Sequence, residues 1–162
     1  MNYNVRKATS EDLDRIEEIY AYARDFMVKT GNPNQWGRTN PPHEWLVDDI
    51  KQQLLHVVTD EKEIHGVFYF YIGEDPTYGV IEDGVWQHNG RYGTIHRIAS
   101  DGSGGILRTA VGYCKQLTDH IRIDTHHDNI VMQRAVAKLG FQRSGIIRLA
   151  NGSPRIAYEL NT

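Results

Sequence analysis

Apolar residues recur along the chain with two periods, near four and near two, and their succession predicts the order of elements. After a short extended start around Tyr3 to Lys7, Leu13, Ile16, Tyr20, Ala23 and Met27 fall on one helical face, and Thr9 with Asp12 has capping-box spacing ahead of them. Gly31 and Pro33 stop that helix. The stretch Asn32 to Pro42 (NPNQWGRTNPP) is rich in turn formers, and Leu46, Ile50 and Leu54 then recur every fourth residue in a second helix. His56 to Thr59 and Ile64 to Ile72 read as two strands around the charged turn Asp60 to Glu63. The second is apolar or aromatic on both faces, which suits the middle of a sheet.

Gly73 to Gly90 carries no clear period beyond a short strand candidate at Val80 to Ile81. Gly93 to Ala99 has strand character and runs directly into Ser100 to Gly105 (SDGSGG). Ile106, Leu107, Ala110, Val111, Cys114 and Leu117 then line one side of a helix, and Ile121 to Thr125 reads as the next strand. Asn129 opens another helix on which Met132, Ala135, Val136 and Leu139 keep helical spacing, closed by Gly140. Two strands, Gln142 to Leu149 and Arg155 to Leu160, surround the turn Asn151-Gly152. The expectation is one mixed α/β domain over residues 1–162 that finishes in a hairpin.

Composition narrows the classes without changing that picture. With 162 residues, 40% hydrophobic and 24% charged, the chain is of ordinary globular type and about one domain long. Its 18 basic and 21 acidic residues give a net charge of −3, which supplies no general reason to bind nucleic acid or an anionic membrane. The one cysteine, Cys114, cannot form an internal disulfide, and no apolar run approaches the roughly 18 residues a membrane span needs. A cytoplasmic setting is expected, and the exposed edge of the final hairpin would suit a homodimer.

The junction of strand, glycine loop and helix at residues 93–117 carries the first candidate chemistry. A glycine loop lets backbone amides approach an anion, and the following helix N-terminus adds about half a positive charge of dipole. The loop is not a Walker sequence, which would need Gly-Lys-Ser/Thr, nor a G-x-G-x-x-G dinucleotide fingerprint, so a nucleotide-binding module is the weakest reading. Ser103, Gly104, Gly105, Ile106 and Arg108 can present backbone N–H groups to a diphosphate, and the Arg108 side chain can add a positive charge.

The element order, and above all IRIDTHHDNIVMQRAVAKLGF from Ile121 to Phe141, resembles the GNAT family of acyl-CoA-dependent N-acetyltransferases over nearly the whole chain. Asn129 with Lys138, Gly140 and Phe141 reproduces the family's strand, Asn, helix and Lys-x-Gly-Phe spacing. The family's loop pattern, Gln/Arg-x-x-Gly-x-Gly/Ala, falls on Gly102, Gly105 and Leu107, where only the middle glycine matches. The resemblance implies a GNAT fold: a central mixed, mostly antiparallel sheet of six to seven strands flanked by four helices, with a splayed strand pair that takes acetyl-CoA. It places Ile98 and Ser100 where backbone groups bond the pantetheine arm and steady the oxyanion, and Asn129 beside the cofactor as well as at a helix N-cap.

Acyl transfer to an amine needs the amine neutral, and His is suited to take its proton. His96, on the strand ahead of the loop, is the first candidate base, at a position where some family members carry a working histidine; His126 is the second. His126, His127, Asp124 and Asp128 also have metal-ligand chemistry, but adjacent side chains at a strand end usually diverge and no separated His-x-x-x-His spacing accompanies them, so no metal is expected. The tyrosine that serves the family as general acid falls at Val136, which leaves water or a hydroxyl such as Ser144 or Tyr113 to protonate the leaving thiolate. Cys114 reads as a core residue.

The resemblance assigns the acceptor site to the first two helices, their connecting loop and the final hairpin, with Tyr22, Gln35, Trp36, Arg38 and Trp45 as candidate lining residues. The acceptor it implies is a small-molecule amine or a peptide amine. The alternative, motivated by Leu107 and Val136, is a GNAT-fold module that binds acyl-CoA without turnover.

Overall fold

A computed structural model describes residues 2–162. Seven strands form one sheet in the order β1-β2-β3-β4-β5-β7-β6: β1 Asn4–Lys7, β2 Leu55–Thr59, β3 Ile64–Ile72, β4 Gly93–Ser100, β5 His120–Thr125, β6 Gln142–Arg148 and β7 Pro154–Asn161. Every neighbouring pair is antiparallel except β4 and β5. Four α-helices flank it: α1 Leu13–Lys29, α2 His43–Lys51, α3 Ile106–Lys115 and α4 Ile130–Lys138. The expected fold class is therefore observed.

The core divides across the sheet as the periodicities require. Ile16, Ile19, Tyr20 and Ala23 of α1 and Leu46 of α2 bury against Leu55, Val57, Val67 and Ala99. Ile106, Ala110, Val111 and Cys114 of α3, with Val136 of α4, pack on the opposite face against Phe68, Phe70, Ile95, Ile121 and Ile123. A third cluster under the 73–92 loop joins Tyr78 and Tyr92 to Ile147 and Ala157. Burying an aliphatic side chain of this kind contributes roughly 1.5–3 kcal/mol, so each helix is held by its inward face more than by propensity.

Three local expectations need correction. Leu54 lies beyond α2, because Gln53 takes φ 60° and turns the chain. Leu117 lies beyond α3 and is exposed, the helix having ended at Lys115. Val80 to Ile81 forms no strand; one bridge, between Glu82 and Ile146, is all the pairing there. The Thr9–Asp12 box is present, with the Asp12 carboxylate accepting from the Thr9 backbone N–H at 2.8 Å, although it opens a short 3-10 turn over Ser10–Asp12 ahead of α1.

Two features of β4 position everything that follows. Its parallel ladder to β5 has two registered pairs, Gly93 with Ile121 and Thr94 with Arg122, after which the strands part. On its other side the register to β3 slips between Tyr69–His96 and Val67–Ala99, so Arg97 and Ile98 together face the single residue Phe68. Arg97 sits at φ 52°, a conformation disfavoured for a residue with a side chain and typical of a bulge that re-aims its neighbours.

Candidate active site

Where β4 and β5 part, a groove of about 590 Å³ opens between the strand ends, the 30–42 loop and the β6–β7 turn. His96 lies in its wall. The His96 Nε2 is 2.7 Å from Asp75 Oδ2, and its Nδ1 is 3.7 Å from Asp124 Oδ2. Asp124 Oδ2 also accepts a 2.6 Å hydrogen bond from the Tyr78 hydroxyl.

The protonation pattern follows from the acids. Burial alone would push the Asp75 carboxyl up, but the hydrogen bonds from His96 and from Thr77 outweigh it and hold the group down to about 2. An ionised Asp75 can only accept, so it fixes the neutral imidazole with its hydrogen on Nε2 and its lone pair on Nδ1. The basic nitrogen thus faces Asp124 without being hydrogen-bonded to it, and an imidazolium formed by a proton on Nδ1 lies between the two carboxylates. This is an oriented base of the kind that direct acyl transfer to an amine requires.

The bulge is braced from the α1–α2 side. The Arg97 carbonyl accepts from the buried Tyr20 hydroxyl, its guanidinium pairs with Asp49, and that guanidinium lies 4.6 Å from the Tyr69 ring centroid. Ile98, Ile123, Thr125, Asn129 and Met132 line the groove on the α4 side. Beyond Thr94 the backbone groups of β4 that face β5 have no ladder partner, so an extended ligand arm can use them; Ile98 lies on this stretch.

The glycine loop lies past the end of β4. Gly105, at φ 83°, is the N-cap of α3 and has no side chain with which to cap it, so the first-turn N–H groups of Ile106, Leu107 and Arg108 are left for an anion. A Cβ on Gly104 would meet nothing within 4 Å, so the loop is open on that side. Arg108 is exposed beside it. Leu107 turns its side chain onto the core and away from this cradle. Ser103 is spent inward: its N–H donates to Asp101 Oδ1, and its hydroxyl lies 3.2 Å from His65 Nδ1. Ser100 Oγ likewise accepts from the Gly102 N–H. The loop therefore fits a diphosphate through Gly104, Gly105 and the start of α3.

Gln35 joins the two halves of the site. Its Oε1 accepts from Asn32 Nδ2 at 2.8 Å and Asn129 Nδ2 at 3.0 Å, while Asn129 Oδ1 caps α4 through the Met132 N–H. Trp36 lines the groove and also packs edge-on against Tyr20 at 5.6 Å, and Trp45 lines it while remaining exposed.

Other expected site residues are not brought here. Tyr22 lies on a face of α1 that turns to the glycine loop, where a Cβ on Gly102 would sit 2.6 Å from its hydroxyl. Arg38 is exposed outside the groove, because the chain reverses at Gly37, φ 62°, after presenting Gln35 and Trp36 inward. His126 is buried off the groove with its Nδ1 accepting from the Asp128 N–H, and burial lowers its proton affinity. Its ring stacks on His127 at 4.3 Å, so these adjacent side chains converge, contrary to expectation. Ser144 donates to the buried Glu159 and Tyr113 packs near His56 and Phe68, so neither hydroxyl reaches the groove. Val136 and Cys114 are wholly core, and burial pushes the Cys114 thiol far up. Asp75 and Arg155, both in the groove wall, carried no sequence signal.

A sheet split beside a glycine loop, with an oriented histidine at the split, defines an acyltransferase of the acyl-CoA type. Comparison with solved structures agrees with this: the chain is similar over nearly its whole length to GNAT-family acetyltransferases. The crystal structure of a GNAT-family acetyltransferase from Streptococcus agalactiae superposes with a TM-score of 0.87 at 29% identity, over 99% of this chain and 95% of that one. A GNAT-family acetyltransferase from Listeria monocytogenes (TM-score 0.70, 17% identity, 99% and 95% covered) and a ribosomal-protein-alanine N-acetyltransferase from Brucella melitensis (0.64, 16%, 98% and 99%) share the fold. No family model and no curated protein matches the chain. No helix among the described residues is long and apolar enough to cross a membrane.

Proposed function

We propose that the protein is an N-acetyltransferase that moves an acetyl group from acetyl-CoA to a primary amine by direct attack in a ternary complex, acting in the cytoplasm. The observation that carries this reading is the His96–Asp75 pair at the point where β4 and β5 part. Acetyl-CoA, when bound, supplies an acyl group activated as a thioester. The open side of Gly104 and the uncapped start of α3 suit its diphosphate, and the unpaired edge of β4 suits its pantetheine arm.

The acceptor enters as an ammonium, and Asp75 and Asp124 favour that charge beside His96. His96 Nδ1 takes one proton. The neutral nitrogen forms the new C–N bond as the C–S bond breaks, its second proton is delivered through water to the departing sulfur, and His96 returns its own proton to solvent. A thiol titrating near 8.5 needs little help to leave, which accords with the apolar residue at Val136.

The test is calorimetric titration with acetyl-CoA, with ATP as control, followed by CoA release with a panel of amines. Micromolar acetyl-CoA binding and amine-dependent release that His96→Ala slows by about 100-fold or more support the reading. Absence of acetyl-CoA binding at millimolar concentration overturns it.

A further inference from the structure

Two arginines line the groove, and they differ in how their charge is met. Arg97 is paired with Asp49. Arg155, on β7, is 7% exposed, yet among the described residues its guanidinium bonds only neutral acceptors: Ser153 Oγ at 2.7 Å, the Pro154 carbonyl at 2.8 Å and the Gln35 carbonyl at 3.5 Å. Those contacts fix its direction without compensating its charge. A buried guanidinium lacking a counter-ion is costly, and here burial lowers its proton affinity while the more distant Asp124 pulls the other way.

The acids of the groove stand beside His96. Asp124 registers with Ala157 on β7, so Arg155 is its diagonal neighbour on the same face, roughly 7–8 Å away across the ladder. Asp75 and Asp124 flank His96, and Arg155 lines the same groove. The groove is therefore a dipole, negative where the amine is deprotonated and positive a few bonds further on.

We propose that the acceptor is zwitterionic: an α-amino acid, or an amino carboxylate of similarly short spacing, whose carboxylate pairs with Arg155 while its ammonium lies against His96, Asp75 and Asp124. This rests on the N-acetyltransferase reading and deepens it. Met27, Trp36, Trp45 and Leu149 also line the groove, so an apolar side chain is the one accommodated.

The experiment compares L-phenylalanine, L-leucine and L-methionine with their carboxamides. With acetyl-CoA present, the wild type is expected to favour the acids by at least tenfold in kcat/KM, and Arg155→Gln is expected to bring that ratio near one without changing the Kd for acetyl-CoA. Because Arg155 is buried, Arg155→Lys and a thermal unfolding curve accompany it; the lysine variant keeps part of the preference. A second arm does not depend on turnover: calorimetry in the presence of CoA, with N-acetyl-L-phenylalanine against its amide, should show at least tenfold tighter binding of the acid. Equal use or equal binding of acid and amide by the wild type, absence of binding by the whole panel, or a ratio that survives in folded Arg155→Gln overturns the proposal. Acetyl-CoA binding without turnover would count against catalysis, and the second arm would still decide the acceptor class.

Discussion

The Tyr20 hydroxyl on α1 donates a 2.7 Å hydrogen bond to the carbonyl of Arg97, the residue at which β4 bulges. A left-handed residue costs of order 1–3 kcal/mol and persists only where its surroundings over-determine it. Tyr20 is fully buried, and burial lifts its phenol well above the ordinary range, so it serves as a neutral donor at any working pH. Tyr20→Phe should cost about 1–2 kcal/mol in denaturant unfolding and lower kcat, because the bulge sets the direction of the adjacent His96.

Asp75→Asn should leave the fold intact and lower kcat by about 10–1000-fold, since an amide neither dictates the His96 tautomer nor balances a proton on it. The stability arm has a definite sign. A carboxyl held down to about 2 contributes stability that is complete above the ordinary carboxylate range near 4 and is lost as pH falls toward 2. Acid unfolding of the asparagine variant should be less steep in that window.

His65 should give the opposite pH signature. Its two ring nitrogens meet Asp60 at 2.7 Å and Asp101 at 2.8 Å, and these hydrogen bonds raise its proton affinity above the ordinary value of about 6.5. The stability this supplies is present in full below that value and disappears as pH rises through the higher folded one. Melting temperature followed from pH 6 to 9 should fall in the wild type and fall less in His65→Asn. Asp101 also holds the Ser103 N–H and Arg15, so acetyl-CoA binding should weaken over the same range.

Two glycine substitutions should act in opposite directions. A Cβ on Gly66 would come within 2.4 Å of Ile106 Cγ2, the first residue of α3, so Gly66→Ala should cost about 1–3 kcal/mol and weaken acetyl-CoA binding by displacing the helix start. Gly112 lies within α3 with nothing within 4 Å of its would-be Cβ, and Gly112→Ala should stabilise the protein by about 0.5–1 kcal/mol. Thermal unfolding of the two variants separates the effects.

The elements were legible in sequence because burial leaves a period: the α1 and α3 faces and the two-sided apolar run of Ile64 to Ile72 could be read directly. His96, Gln35, Trp36 and Asn129, which resemblance and element order bring forward, all line the groove. Asp75 leaves no such signal because it lies 21 residues from His96 in a segment whose fold comes from a few side-chain bonds, such as the Asp75 N–H donating to the Tyr92 hydroxyl, and not from any period. Arg155 looked like any charged strand residue; its lack of a counter-ion is a property of its surroundings. Tyr22, Arg38 and His126 lie outside the groove for a related reason, since the direction a side chain takes off a loop or a helix flank depends on single torsions, such as φ 62° at Gly37.

The parting of β4 from β5 places two unpaired strand borders inside the molecule, facing one another. An open border is ordinarily a template on which a foreign chain can add itself, and proteins blunt it with charge, proline or shortness. Here α1, α2 and the 30–42 loop on one side and α4 on the other screen it from neighbouring molecules. The protein can therefore keep free main-chain donors and acceptors for a ligand without offering them as a seed for aggregation, and it needs no protective residues in the strands that do the binding.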